Sequence, residues 1–195
     1  PRPDSETLID AAVKWASRNA VKDRALRLLD LGTGSGCLLL ALLSELPQAN
    51  GVGIDVNLDA IATARRNAAS LGLGERAAFT AHSFADDLGP LGDFDVILSN
   101  PPYIPTDEID GLAVDVKSFD PALALDGGAD GMACWQQLLP RLAAALAVSG
   151  MAFVEIGRGQ ENAVTAEAEK ANLQLSGSYH DLAGITRCLA FSIKM

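Results

Sequence analysis

Five consecutive residues, Ser99-Asn100-Pro101-Pro102-Tyr103, close the apolar run Phe94-Asp95-Val96-Ile97-Leu98. Neither proline donates a backbone hydrogen bond, and each fixes its own φ. The residue ahead of a proline is driven toward extended geometry. Asn100 therefore stands on a stiff corner, its amide projecting past a strand end, where open α/β sheets hold their ligands. That amide carries an acceptor oxygen and two N–H donors, and the proline carbonyls accept as well. A corner so built can grip a planar –NH2 group from two sides. The plainer reading is a Pro-Pro loop that only ends a strand.

A second group shifts the balance. Asp30-Leu31-Gly32-Thr33-Gly34-Ser35-Gly36 lies where an apolar strand gives way to a leucine-rich helix. Glycines there let the backbone turn tightly and approach a ligand, and the helix start presents unpaired N–H groups. The third glycine comes one residue too early for the dinucleotide fingerprint, and no Gly-Lys-Ser/Thr follows to hold a triphosphate. Asp55 ends the next strand, at the distance where an acid grips ribose hydroxyls. A carboxylate accepts two hydrogen bonds from a vicinal diol and repels a 2′-phosphate. The plainer role for Asp55 is a helix-capping acid. Together the glycines and the acid ask for an adenosine without a pyrophosphate, which points to S-adenosylmethionine.

The rest of the chain must position these two groups. It has 195 residues, 49% hydrophobic, enough for one domain with a substantial core. A formal net charge of −10 draws in no nucleic acid, and no basic cluster is visible. Cys37, Cys134 and Cys188 follow no C-x-x-C spacing and read as reduced thiols in or near the core. His82 and His180 are far apart, so no metal site is expected. No apolar stretch is long enough to span a bilayer, and no signal-peptide pattern opens the chain.

Periodicity predicts a helix over residues 6–18 capped by Asp4 or Ser5, a strand over 24–31, a helix over 37–46 and a strand over 51–56. Ile61, Ala64, Ala68 and Leu71 recur at helical spacing, with Asn57 or Asp59 at the start and Gly72 as the stop. Strands follow over 77–81 and 94–99, helices over 133–147 and 160–171, and strands over 151–156, 173–179 and 187–193. Residues 104–131 show no period, and a loop that long is expected to be functional. Asp126-Gly127-Gly128 reads as a turn, Trp15 and Trp135 as core, and Arg187 as a surface strand arginine. Alternating strands and helices predict an α/β protein: a mostly parallel sheet, helices on both faces, and an antiparallel pair at the end.

Asp-Leu-Gly-Thr-Gly-Ser-Gly, Gly53-Ile54-Asp55 and Ser-Asn-Pro-Pro-Tyr together resemble the class I S-adenosylmethionine methyltransferases that act on nitrogen. The opening Pro1-Arg2-Pro3-Asp4-Ser5-Glu6 is similar to the R-P-D-[TS]-E arm of the release factor glutamine methyltransferases, the HemK/PrmC family. Phe119-Asp120-Pro121-Ala122-Leu123-Ala124-Leu125, Gly131-Met132 and Asp181-Leu182-Ala183-Gly184-Ile185-Thr186-Arg187 agree with it, so the resemblance covers essentially the entire chain.

The resemblance implies a Rossmann-like class I methyltransferase fold with a seven-stranded sheet in the order 3-2-1-4-5-7-6. Residues 1–22 would be an arm and helix leading into a methyltransferase domain over 23–195, with the family's small helical domain ahead of the arm expected to be absent. Gly32, Thr33, Gly34 and Gly36 would shape the methionine pocket of S-adenosyl-L-methionine, with Asp30 beneath them and Asp55 on the ribose. Phe84 would stack on the adenine. Ser83 stands where the family carries an acid, leaving Asp86 or Asp87 to reach the adenine amine. Asn100 and Pro101 would bind the substrate amide, with Pro102 and Tyr103 completing the catalytic corner and Asn100 also bordering the cofactor.

Arg2 and Glu6 either order the arm over this site or belong to a solvated arm, and Arg187 either secures the arm or the substrate loop or is a plain surface arginine. The implied reaction moves a methyl group to the glutamine amide of the Gly-Gly-Gln motif in peptide chain release factors, leaving S-adenosyl-L-homocysteine. A cytoplasmic monomer with no nucleic-acid or membrane partner is expected. Two other readings stay open: methylation of the adenine amine in DNA or RNA, which requires base extrusion, and a non-catalytic cofactor-binding domain.

Overall fold

The described residues of the computed structural model are 5–111 and 124–194. The expected roles of residues 1–4, among them Arg2 and a capping Asp4, and of residues 119–123 lie outside them. Strands β1 (Arg27–Leu31), β2 (Asn50–Asp55), β3 (Ala77–Ala81), β4 (Phe94–Ser99), β5 (Leu146–Glu155), β6 (Leu173–His180) and β7 (Thr186–Ile193) form one sheet. Its order is β3-β2-β1-β4-β5-β7-β6, with β1 to β5 parallel and β7 antiparallel to both β5 and β6.

Side chains alternate across a strand with period two, and the sequence uses this to load both faces. Along β1, Leu28 joins one core and Leu29 and Leu31 the other; along β4, Val96 and Leu98 oppose Ile97. Helices α1 (Glu6–Arg18), α2 (Cys37–Glu45) and α3 (Leu58–Ser70) cover the first face. Helices α4 (Ala133–Ala145) and α5 (Glu161–Lys170) cover the second. Trp135 is wholly buried in the second core, while half-buried Trp15 meets Phe153 edge-on with ring centroids 6.3 Å apart. Cys188 is buried, Cys37 and Cys134 are half-buried, and all three are free thiols. No helix among the described residues is long and apolar enough to cross a membrane.

Asn57 caps α3, its Oδ1 accepting from the N–H groups of Asp59 and Ala60. Ser5 precedes α1 but makes no side-chain cap bond. β5 starts at Leu146, where periodicity extends the preceding helix to residue 147. Alanines 143–145 favour a helix, but pairing of Leu146 with Phe94 ends it, and a register shift in the β4–β5 ladder absorbs the extra residues.

Strand order reverses between β1 and β4, which opens a crevice at the carboxyl ends of those strands. Asp30 lies beside Leu98 and Ser99 beside Val154 in the parallel ladders. One residue beyond, Asn100 therefore falls next to Glu155. Period two aims both toward the α1 and α2 side.

Candidate active site

A cleft of about 380 Å³ occupies the crevice, bordered on one side by Gly32, Thr33, Gly34 and Ser35 and on the other by Asn100, Pro101, Pro102 and Tyr103. Ser5 and Glu155 also reach it. A recess of about 240 Å³ at the opposite strand ends contains Arg27 and Arg76. Both guanidinium groups there are committed to main-chain carbonyls, so it offers no comparable chemistry.

The glycine turn is tied to β2. The N–H groups of Gly32 and Thr33 both donate to the Ile54 carbonyl, at 3.0 and 2.8 Å. Gly34 N–H donates to Asp55 Oδ2 at 2.9 Å, and Asn57 N–H to Asp55 Oδ1 at 2.9 Å. Asp55 thus braces the turn from outside the cleft lining, and each of its oxygens keeps further acceptor capacity. Gly36 has φ +78°, and a Cβ there would meet Ala64 and Phe79 at 3.0 Å, so a side chain would push α2 off α3.

Beneath the turn lies Asp30, 1% exposed. Thr33 Oγ1 donates to its Oδ2 at 2.6 Å, while Oδ1 has no hydrogen-bond partner. Burial pushes this carboxyl up from 3.8 to about 6, against the Thr33 hydroxyl and the Leu39 N–H, with the Asp55 charge adding a smaller upward push. The Leu39 N–H, in the first turn of α2, leans on the carboxylate electrostatically without completing a hydrogen bond. A buried carboxylate oxygen without a donor waits for one.

The Pro-Pro corner is also braced. Gln160 Nε2 donates to the Tyr103 carbonyl at 3.1 Å and to the Gly131 carbonyl at 3.3 Å, while its Oε1 accepts from Gly157 N–H at 2.9 Å. Asn100 Nδ2 donates to Ser5 Oγ at 3.3 Å, Ser5 Oγ to Glu155 Oε2 at 2.7 Å, and Tyr103 OH to Glu155 Oε1 at 3.1 Å. Asp126 does more than turn the chain, because its Oδ1 takes both the Thr106 hydroxyl and the Gly128 N–H. Arg187 is no plain surface residue, since its Nε pairs with Asp181 Oδ2 at 3.1 Å.

The structure thus gathers Gly32, Thr33, Gly34 and Asn100 to Tyr103 around one space, with Asp30 below. Gly36 and Asp55 stand behind the turn. Phe84 packs against the second core and is not among the lining residues. Ser83 Oγ accepts from Ala85 N–H and Asp87 Oδ1 from Gly89 N–H, both local turn bonds, whereas Asp86 is exposed. Sequence reasoning missed Glu155 and Gln160 altogether. An acid at the end of the apolar run Ala152-Phe153-Val154 was the available signal for Glu155; Gln160, outside any such pattern, gave none.

The most similar relatives include the release factor glutamine methyltransferase of Bradyrhizobium diazoefficiens, 45% identical over 97% of this chain and 63% of that protein. That of Rhodospirillum rubrum is also 45% identical, over 97% of this chain and 56% of its own length. The chain thus spans less than two thirds of the curated relatives it matches. Among solved structures, a ribosomal protein L11 methylase from Lactobacillus delbrueckii subsp. bulgaricus superposes with a TM-score of 0.66 at 21% identity, covering 97% of this chain and 79% of that one. That likeness is one of fold. A family model described as a methyltransferase domain matches residues 22–142, and with the strand order and glycine turn above it shows that the chain belongs to the methyltransferase-domain family.

Proposed function

We infer that this chain transfers the methyl group of S-adenosylmethionine to the side-chain amide nitrogen of a glutamine, that of the Gly-Gly-Gln motif in a peptide chain release factor. One observation carries the reading: a single cleft has the glycine turn on one wall and the Asn100–Tyr103 corner on the other. The 45% identity to release factor glutamine methyltransferases supports the choice of substrate.

The residues present fit the cofactor. Asp30 Oδ1, buried and lacking a donor, suits an ammonium group. The glycine turn leaves room for a ligand at its surface, with nothing within 4 Å of a Cβ built on Gly32 or Gly34. Asp55 retains lone pairs for a ribose diol; stacking on the adenine is the role the resemblance implies for Phe84, whose ring packs on the second core outside the cleft lining. S-adenosylmethionine, when bound, supplies a sulfonium methyl that is already strongly electrophilic, so the protein needs little acid–base machinery.

What the chain supplies is orientation. An amide nitrogen is a poor nucleophile because its lone pair is delocalised. Asn100 Oδ1 and the Pro101 carbonyl accept the two N–H bonds of the acceptor, hold the nitrogen in line, and favour charge building on it. Such alignment is worth up to roughly 7–11 kcal/mol in ideal cases. Pro102 keeps the corner rigid and Tyr103 walls it. A cytoplasmic location goes with a substrate that works at the ribosome.

The test is incubation with methyl-labelled S-adenosylmethionine and purified release factor, with adenine-rich DNA and RNA in parallel. Label on the Gly-Gly-Gln glutamine, located by mass spectrometry, is the expected result. Label on the adenine amine alone transfers the assignment to a nucleic-acid enzyme. Cofactor binding with no transfer anywhere leaves a non-catalytic domain.

A further inference from the structure

Ser5 stands at the boundary of α1, where a serine ordinarily turns its hydroxyl onto the unpaired N–H groups of the first turn. It makes no such bond. Its Oγ reaches instead to Glu155 Oε2, 150 residues away in sequence, at 2.7 Å, and accepts from Asn100 Nδ2 at 3.3 Å. Both members are shut away from water, Ser5 3% and Glu155 2% exposed. The second carboxylate oxygen takes the Tyr103 hydroxyl at 3.1 Å.

These contacts have a direction. Two hydroxyls on two different oxygens is the pattern of an ionised carboxylate, which accepts and never donates. The Ser5 proton is therefore committed to Glu155, and only lone pairs of Oγ remain for Asn100. Lone pairs require a donor, so the Asn100 amide turns Nδ2 toward Ser5. Its Oδ1 then lies on the opposite edge of the amide, and no donor among the described residues bonds to it. Without the pair, the amide could rotate by half a turn and present N–H groups to the cleft.

We propose that Glu155 and Ser5 form a positioning relay that fixes the flip of the Asn100 amide and keeps Oδ1 facing the acceptor. The relay makes the site select a nucleophile that carries N–H bonds, such as a primary amide, over one that offers only lone pairs. This rests on the methyl-acceptor role given to Asn100 above, yet its first readout needs no acceptor.

The full chain, with asparagine side-chain amides labelled with 15N, is compared as wild type, Ser5→Ala, Ser5→Thr and Glu155→Ala. The Asn100 signals are identified by their loss in Asn100→Asp. In wild type and Ser5→Thr, one Asn100 Nδ2 proton exchanges slowly with water. In Ser5→Ala it exchanges about tenfold faster, as loss of a hydrogen bond worth around one factor of ten requires. Glu155→Ala behaves likewise although its serine is intact; its melting curve confirms that it is folded. Turnover on purified release factor falls about tenfold in Ser5→Ala and recovers in Ser5→Thr, while the dissociation constant for S-adenosylmethionine changes by less than about twofold.

Unchanged Asn100 exchange in Ser5→Ala overturns the relay, whatever the activity. Faster exchange with wild-type turnover overturns its part in the reaction. A wild-type protein that methylates no release factor overturns the acceptor reading, while the exchange rates still decide whether the relay holds the amide.

Discussion

The Asp30 carboxyl has Thr33 Oγ1 on one oxygen at 2.6 Å and no hydrogen-bond partner on the other. Its pKa stands at about 6 when folded and 3.8 when not. Between those values the folded protein binds a proton that the unfolded chain does not. The stability this adds is fully present below 3.8 and is lost as pH rises through about 6. At neutral pH the fold therefore forgoes about 3 kcal/mol at this one carboxylate. In Asp30→Asn, the Thr33 bond is kept and the buried charge removed, so the ligand-free protein should gain about 1 kcal/mol at pH 8 in urea unfolding, since an unpaired neutral donor costs less than an unpaired charge. The same variant should bind S-adenosylmethionine at least about tenfold more weakly. Only the ionised carboxylate attracts an ammonium, so wild-type affinity should fall by about tenfold per pH unit below about 6. Titration calorimetry from pH 5 to 8 in buffers of different ionisation enthalpy would see the proton released on binding. Affinity that stays flat across that range would mean that Asp30 does not meet the ligand's charge.

At the scale of elements, the Pro-Pro corner is stiff along its own chain but needs bracing from other elements. Gln160, just ahead of α5, supplies it by holding the Tyr103 and Gly131 carbonyls. Gly131 has φ +72°, and a Cβ there would run into the Tyr103 carbonyl. Gln160→Ala should cost about 1–2 kcal/mol in stability, because it removes a hydrogen bond from each of three main-chain groups. It should also lower kcat more than it weakens cofactor binding; steady-state kinetics beside calorimetry would separate the two. The elements themselves were legible in the sequence because their signals are local: period two in β1 and β4, helical spacing from Ile61 to Ala68, glycines between β1 and α2. The braces were not. A hydrogen bond from Ser5 to Glu155 or from Gln160 to Tyr103 depends on register between strands far apart in sequence, and no local pattern encodes it. The start of β5 was missed for a related reason, since pairing with Phe94 overrides the helical preference of the alanines before it.

Across the whole molecule, the two walls of the cleft rise from paired strands, Ser99 Oγ donating to the Leu31 carbonyl at 2.9 Å, but each wall has further braces of its own. The glycine turn hangs on β2, through Ile54 and Asp55. The Asn100 wall hangs on α1 through Ser5 and on Gln160 ahead of α5. Helix α1 is docked by Leu8, Ala11, Ala12 and Ala16, all buried in the first core, where it packs on α2, β5, β6 and β7. Its amphipathic face was readable in the sequence, but its task of carrying a hydroxyl to the far ends of β4 and β5 was not. Damage to one scaffold should therefore not spread evenly to both walls. Leu8→Ala removes a wholly buried side chain and should cost about 2–5 kcal/mol. Well below its melting temperature the variant should still bind S-adenosylmethionine within about threefold of wild type, because β2 is untouched. Methyl transfer should fall by more than about tenfold, as a loosened α1 lets Ser5 leave Asn100. Hydrogen exchange would show faster opening along α1 with little change at the start of α2. If affinity and turnover fell together, the two walls would be one cooperative unit.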